Sequence, residues 1–466
     1  MPTRARKKSE DRRVNMRRRR DATTTTNVHH LGTMDVTCSG CDALHFTAEH
    51  DTTNSVVFKN CCHKAKVKLH PISSSIFLQE LIQKDDQTSK EYLKNIRKYN
   101  AAHQMVSMQA ELEENPGHGV YYYKIHGQVY HSIGPLLTND SHPARNASVY
   151  TYDVDEAVQQ RMSNTYNAEC DANLMKHISN YIHQVNPYAQ QFKTMHNLWL
   201  EEQSLAESEN RNTREVCMYL HGSCSPDGHP GRYNDASGTE KIATIFKSSD
   251  GAPPLNNNRD IVIYLLTGGI RQVPILSNII DPLTYPLLFP NGDKGWDMNM
   301  EHIQENRTVS RFKVTLLQYV SYRLSVRPGF SLLHRSQKLF LQYIVDIYVR
   351  IESQRLTYIR MNQSKLRADL YCNVMDFMIR ESNELGVVPG KMVILPSSFI
   401  GSPRNMHERY LDAMRIIQVC GKPSLFITFT ANPNWDEIKT TIQPENRPEN
   451  CERKDFRWSC GARLYN

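Results

Sequence analysis

No stretch of the chain approaches the roughly 18 consecutive apolar residues that a membrane-spanning helix needs. The longest apolar run, Ile261-Val262-Ile263-Tyr264-Leu265-Leu266, has only the length of a strand. No membrane partner is therefore expected. The charged N-terminus has no apolar segment behind it, so it does not read as a secretory signal. A reducing intracellular setting is expected, and the 11 cysteines are then not expected to form a disulfide framework. The phosphate-cradling loop G-x-x-x-x-G-K-[ST] is also missing. Its nearest approach, Gly386-Val387-Val388-Pro389-Gly390-Lys391-Met392, is one residue short, and Met392 stands where a magnesium-binding hydroxyl belongs. No G-x-S-x-G element offers a hydrolase nucleophile, and there is no internal repeat. A nucleotide-driven motor and a serine hydrolase are both set aside on these grounds.

The charge that is present is concentrated. Residues 1–20 hold ten basic residues (Arg4, Arg6, Lys7, Lys8, Arg12, Arg13, Arg17, Arg18, Arg19 and Arg20) against Glu10 and Asp11. That net +8 exceeds the +7 of the whole chain, so the remainder is close to neutral. Such a block repels itself and has little apolar surface to bury, so residues 1–30 are expected to be a disordered tail. Arg17 to Arg20 are its densest run and are candidates for phosphate contact or nuclear import. A solubilising role is the plainer alternative.

Cysteine spacing is the next signal. Cys38-Ser39-Gly40-Cys41 is a C-x2-C pair, and Cys61-Cys62-His63 follows after nineteen intervening residues. Two close ligands on a tight turn followed by a second cluster can close a four-coordinate zinc site. The expected ligands are Cys38, Cys41, Cys61 and one of Cys62 and His63, since adjacent residues crowd a single ion. Four protein ligands would make the zinc structural. The competing reading is reduced cysteines buried in a small domain.

Periodicity outlines the rest. Apolar spacing predicts a helix over 76–103. Aromatic and β-branched residues on either side of His126-Gly127 predict a hairpin between 121–125 and 128–130. Val149 to Tyr152 reads as a strand, 155–205 as helical and 207–258 as a loop-rich linker. Ile261 to Leu266 reads as a strand. From Thr315 to about Ile379 the pattern is helical, with Phe340, Ile344, Ile347 and Ile351 on one face. Val393 to Leu395 and Leu425 to Thr430 read as strands around a helix at 405–419. Arg323, Arg327, Arg350, Arg355, Arg360, Lys365 and Arg367 interleave with Tyr322, Tyr343, Tyr348 and Tyr358. Cations beside aromatic rings suit single-stranded DNA, while a solvated helix face with core tyrosines is the structural alternative.

Several ordered motifs carry a family resemblance. They begin with Cys38-Ser39-Gly40-Cys41-Asp42-Ala43-Leu44-His45-Phe46 and Cys61-Cys62, then Ile125-His126-Gly127-Gln128-Val129-Tyr130-His131 and Tyr285-Pro286-Leu287-Leu288-Phe289-Pro290. Gln342-Tyr343-Ile344-Val345-Asp346, Ile359-Arg360-Met361-Asn362-Gln363 and Leu395-Pro396-Ser397-Ser398-Phe399 follow. Gly401-Ser402-Pro403-Arg404, Asp412-Ala413-Met414 and Gly421-Lys422-Pro423 lead to Leu425-Phe426-Ile427-Thr428-Phe429-Thr430-Ala431-Asn432-Pro433-Asn434-Trp435. Together these resemble the N-terminal region of Helitron rolling-circle transposases, whose last third here looks like the Helitron helicase-like domain.

The resemblance implies a nicking domain of the replication-initiator (Rep) type. In such a domain a His-apolar-His pair holds a metal against the scissile phosphate, and a tyrosine becomes a covalent ester. It also implies that Phe426 to Thr430 is the first strand of that domain, with Phe426, Thr428, Thr430 and Asn432 near DNA. The 19 histidines include no pair two positions apart, and residues 450–466 depart from the family pattern. No catalytic residue and no divalent catalytic metal are therefore expected in these residues.

The resulting expectation is an α+β protein. A disordered basic N-terminal tail spans 1–30 and a small zinc-knuckle-like module spans 31–70. A mixed α/β region with a loop-rich end covers 71–258. A helix-rich Helitron helicase-like portion covers 259–447, ending at the first Rep-like strand, and a divergent tail covers 448–466. The expected function is that of a truncated, nuclear transposase fragment that binds DNA, single-stranded by preference, without cleaving it. An active nicking enzyme whose gene model lost its C-terminal half, and a host-adopted zinc-containing interaction module, are the rival readings.

Overall fold

The computed structural model of the chain describes residues 34–49, 57–72, 75–112, 123–136, 144–220, 243–247, 261–264, 271–303, 312–363 and 394–425. The candidate DNA-contact residues Arg17, Arg18, Arg19, Arg20, Phe426, Thr428, Thr430 and Asn432 lie outside them, as do Lys365, Arg367 and the phosphate-loop look-alike at 386–392. The described residues form a mixed α+β structure in which helices outweigh strands.

Strands β1 (Val36–Thr37) and β2 (Leu44–His45) pair antiparallel around the first cysteine turn. Helix α1 (Lys59–Cys62) carries the second cluster. The helix expected over 76–103 is two helices, α2 (Ile76–Gln83) and α3 (Gln87–His103). Side-chain caps punctuate the chain here. Ser75 accepts from the Leu78 N–H at 3.3 Å, and Asp86 accepts from the Ser89 N–H at 2.6 Å. A carboxylate that satisfies a free helix-start amide starts a new helix where the apolar periodicity alone suggested continuation.

The hairpin expected around His126-Gly127 does not form. Strand β4 (Ile125–Ile133) runs through both residues and pairs antiparallel with β3 (Ser107–Leu112). The register shifts between Gln109 and Glu111, an irregularity that a strand glycine tolerates. Nor is Val149 to Tyr152 a strand, because it lies within or beside a 3-10 helix over Asn146–Thr151. There the Ser148 hydroxyl donates to Arg145 O at 2.8 Å and the Thr151 hydroxyl to Ser148 O at 2.7 Å, local bonds that compete with a ladder.

Helices α4 (Val154–Ser163), α5 (Ala172–Val185) and α6 (Pro187–Ser208) fill the region read as helical. The segment read as a linker contains β5 (Val216–Leu220) and β6 (Ala243–Lys247). They form an antiparallel sheet with β7 (Ile261–Tyr264), β5 in the centre. Strand β8 (Arg271–Gln272) adds to the end of β4.

Then come α7 (Ile280–Thr284), α8 (Leu316–Leu324), α9 (Leu332–Arg335), α10 (Gln337–Met361) and α11 (Pro403–Cys420). Phe340, Ile344, Ile347 and Ile351 of α10 are all buried, as their spacing predicts. Ile394 and Leu395 are not in a strand. The Gln363 amide takes both backbone partners of Ile394 instead, accepting from its N–H at 2.8 Å and donating to its carbonyl at 3.0 Å.

One continuous cluster of buried apolar side chains runs from Cys38 through α2 to α6 and the 279–289 segment to Ile351 of α10. The cysteine module is thus packed into the main core. Among the described residues no helix is long and apolar enough to cross a membrane.

Candidate metal centre

The turn Cys38-Ser39-Gly40-Cys41 is closed by the Asp42 N–H donating to Cys38 O at 2.8 Å. Asp42 takes a left-handed φ of 59°. Opposite it, α1 ends at Cys62, and His63, Lys64 and Ala65 all adopt left-handed φ values of 51°, 60° and 61°. Each such residue without the freedom of glycine costs on the order of 1–2 kcal/mol. Three in succession persist only where the surroundings impose them. Their effect is to turn the Ala65 N–H onto Cys62 Sγ at 3.2 Å. Gly40 is needed by contact, since a Cβ there would sit 2.8 Å from Ala65 Cβ and 3.2 Å from Cys62 Sγ.

These turns bring together the sulfurs of Cys38, Cys41, Cys61 and Cys62, all within 4.8 Å of one another and all buried. Cys38 Sγ lies 3.6 Å from Cys62 Sγ, and Cys61 Sγ lies 3.8 Å from Cys62 Sγ. A disulfide would hold two sulfurs at about 2.05 Å. Zinc–sulfur bonds of about 2.3 Å at tetrahedral angles separate the sulfurs by about 3.8 Å. The donor set therefore fits a tetrahedral, thiolate-binding metal ion.

Electrostatics points the same way. Hydrogen bonds from the Cys61 and Cys62 thiols pull the Cys41 thiol far below its usual range. The same contacts, with burial, push Cys61 up, and Cys62 is pushed up to about 12, chiefly through its contact with Cys41. Four clustered thiols cannot all ionise against one another, whereas a divalent cation removes that conflict.

At the fourth position the structure gathers Cys62 and turns His63 away. The His63 ring stacks on His302 at 5.7 Å between centroids. Burial, and then the neighbouring His302, lower its pKa. Among the described residues no other group of three or more metal-ligating side chains gathers.

The knuckle is anchored on α8 and the residues that follow it. Leu44 N–H donates to Val326 O at 2.8 Å. Arg327 donates from Nε to Cys41 O at 2.8 Å and from Nη1 to Tyr322 O at 2.8 Å, its guanidinium 4.0 Å from the centre of the Tyr322 ring. Arg323 donates to His70 O at 2.6 Å.

A second polar site lies deeper, where three of the motifs that carry the resemblance meet. His131 of β4 lies 3.1 Å from Asp346 of α10, and the Tyr285 hydroxyl donates to Asp346 at 3.0 Å. Arg350, one turn on, donates to Asp281 at 2.6 Å and lies 3.8 Å from Asp346. The Tyr343 hydroxyl reaches Asp281 at 3.4 Å. Burial alone would raise the Asp346 carboxyl, but Arg350 and His131 hold it below its ordinary value. Burial raises Tyr285 and Tyr343 well above theirs, so both hydroxyls stay protonated as donors. With His131, Asp281 and Asp346 each at most 3% exposed and Arg350 at 4%, the network is inside the core and holds β4, α7 and α10 together.

The basic and aromatic stripe read from sequence is thus divided. Arg323, Arg327 and Arg350 are committed to internal acceptors, and Tyr322 and Tyr343 are core residues, because main-chain carbonyls and buried carboxylates lie within their reach. Arg355, Tyr358 and Arg360, on the last two turns of α10, remain exposed. Sequence reading missed His131, Asp281 and Asp346 as one unit, because nothing in their local spacing links them.

Residues 319–458 match the family model described as Helitron helicase-like domain at N-terminus. The match begins inside α8, covers less than a third of the chain, and extends past residue 448, the expected start of the divergent tail. No curated protein matches the chain.

Proposed function

We propose that this Helitron-related chain is a nuclear DNA-binding protein with a structural zinc knuckle, and that its 466 residues hold single-stranded DNA without nicking it. The observation that carries the reading is the family match over 319–458, which includes the exposed Arg355, Tyr358 and Arg360. Guanidinium groups can track phosphates while a tyrosine face stacks a base. When bound, zinc would cross-link the two cysteine turns through Cys38, Cys41, Cys61 and Cys62 and leave no open coordination position for chemistry. Gly40 and Ala65 shape the sulfur cage, and Arg327 fixes it to the segment that follows α8.

The absence of nicking rests on the cation site, since no His-x-His pair occurs in the sequence. Tyrosine is not what limits, because Tyr130, Tyr166, Tyr358 and Tyr410 are exposed.

The test is a labelled single strand incubated with the purified chain and manganese, then run on native and denaturing gels. A native shift that weakens in an Arg355→Ala/Tyr358→Ala/Arg360→Ala variant, with no cleavage and no covalent adduct, is expected. A metal-dependent nick with a protein–DNA adduct would make the chain an enzyme.

A further inference from the structure

The C-terminal end of α3, the 3-10 helix Asn146–Thr151 and α4 with the turn after it line a half-open cavity of about 330 Å³, at the lower end of the size of small-ligand sites. Its wall includes Arg161, Arg145, Gln104, Asn146, Asn164 and Asn167, and among the described residues no carboxylate lines it.

Arg161 is the unusual member. It is 2% exposed, yet no ion pair reaches it among the described residues. Its Nε donates to Ala102 O at 2.9 Å, its Nη1 to Ser179 Oγ at 3.1 Å, and its guanidinium lies 5.0 Å from the centre of the Tyr150 ring. Nη2 has no partner. A guanidinium remains charged in any protein environment, and burying one against only neutral acceptors is costly unless an anion completes the site. His103 and His183 nearby add no further positive charge, since burial holds both toward the neutral form.

A second cation stands at the rim. Arg145 is exposed and has no ion pair among the described residues. Asn146, beside it, takes a left-handed φ of 55° and also lines the cavity. Two guanidinium groups and no carboxylate match a phosphate group, which planar arginine forks bind through paired N–H donors. Asn167 adds a buried Oδ1 with no partner among the described residues, while its Nδ2 donates to Arg161 O at 2.8 Å. An unpaired acceptor beside two cations calls for a ligand that also offers a donor, such as a base amino group or a sugar hydroxyl.

We propose that this cavity binds the phosphate group of a nucleotide, with Arg161 and Arg145 on the phosphate and the amide side chains on the nucleoside. The proposal rests on the cavity and its arginines and not on the proposed function above, which depends on other residues. The nucleotide can be free or part of a strand, and the two sources are separable.

The experiment is calorimetric titration of the full-length, zinc-containing chain with deoxyadenosine monophosphate, deoxyadenosine, inorganic phosphate and a 5′-phosphorylated pentanucleotide. Deoxyadenosine monophosphate is expected to bind, and deoxyadenosine to bind at least about tenfold more weakly, since it lacks the charged hydrogen bonds. Inorganic phosphate should also be weaker than the nucleotide. Arg145→Ala, an exposed change that leaves the core intact, should weaken the nucleotide about tenfold. Arg161→Lys keeps the buried charge but removes the fork and should weaken it further. Binding of the pentanucleotide points to a strand, and its exclusion points to a free nucleotide. Equal affinity for deoxyadenosine and its monophosphate, equal affinity for inorganic phosphate, or no effect of Arg145→Ala would each overturn the assignment. Arg355→Ala/Tyr358→Ala/Arg360→Ala should leave nucleotide affinity unchanged, which keeps this outcome distinct from the DNA-binding test.

Discussion

Arg327 donates from Nε to the carbonyl oxygen of Cys41 across 2.8 Å, joining two residues 286 positions apart in sequence. The same guanidinium reaches Tyr322 O and Ser325 O. One side chain therefore ties the first cysteine turn to the segment that opens the Helitron helicase-like match. The knuckle can be read as a clamp on that segment, and its metal content becomes a matter of stability for the whole body.

About one zinc per chain is expected in protein purified without chelator. Cys38→Ser/Cys41→Ser should lose it, and chelation should lower the melting temperature of the core into which the four cysteines pack. Elemental analysis and thermal melts measure both. A double variant that keeps its full zinc content would rule the four sulfurs out as the site.

Gly40→Ala tests the geometry of the cage without touching a ligand. The added methyl meets Ala65 Cβ at 2.8 Å, closer than carbon atoms pack, so the turns must separate. Weaker zinc retention in a chelator competition is expected, with all four cysteines present. Unchanged retention would mean that the two turns can move apart freely.

The cysteine clusters were legible because their ligand spacing is local, and α10 because its apolar period is. The choice of Cys62 over His63 was not, since it depends on three left-handed residues at 63–65 that no sequence preference announces. His131, Asp281, Asp346 and Arg350 were illegible as a group for another reason. Each is an ordinary residue in its own segment, and only tertiary packing converts them into one buried network. Arg350 reads from its position as one more helix-surface cation, and its pairing with Asp281, 69 residues away, goes with its place in the core.

That network gives a stability prediction. Arg350→Met leaves the Asp281 and Asp346 carboxylates buried without their cation and should cost about 3–5 kcal/mol. Tyr285→Phe removes a single hydrogen bond and should cost about 1–3 kcal/mol. Urea unfolding midpoints measure both, and an Arg350→Met loss no larger than that of Tyr285→Phe would remove the network from its central role.

Acid should destabilise the fold in two stages. Burial, and next Arg161, lower His103 well below 6.5 and bring His183 to about 4, and burial lowers His334 as well. A histidine held neutral in the folded state binds its proton first in the unfolded state. Its contribution is therefore complete above about pH 6.5 and is lost as the pH falls toward the folded value, at up to about 1.4 kcal/mol per pH unit for each group. Asp346, whose folded pKa is depressed, adds its loss only below about pH 4. Urea midpoints should thus fall between pH 7 and pH 5, before carboxylates titrate. His334→Gln should make that first stage shallower, and a midpoint constant across this range would show that these histidines are free to protonate.

The N-terminal tail supplies the last prediction. Deleting residues 1–20 removes a net charge of +8 and leaves a nearly neutral chain. Each phosphate neutralised by a lysine or arginine releases condensed counterions, so affinity for duplex DNA falls with salt with a slope near 0.9 per contact on logarithmic axes, and about 0.7 for single strands. If the tail makes several such contacts, the deletion should weaken non-specific binding most at low salt and flatten the salt dependence. Zinc content and melting temperature should stay as they are, since the four sulfurs of the cage come from Cys38, Cys41, Cys61 and Cys62. Fluorescence anisotropy with a labelled strand at several salt concentrations reads both the affinity and the slope. An unchanged slope with unchanged affinity would assign the tail to nuclear import or solubility, and would leave DNA contact to the exposed end of α10.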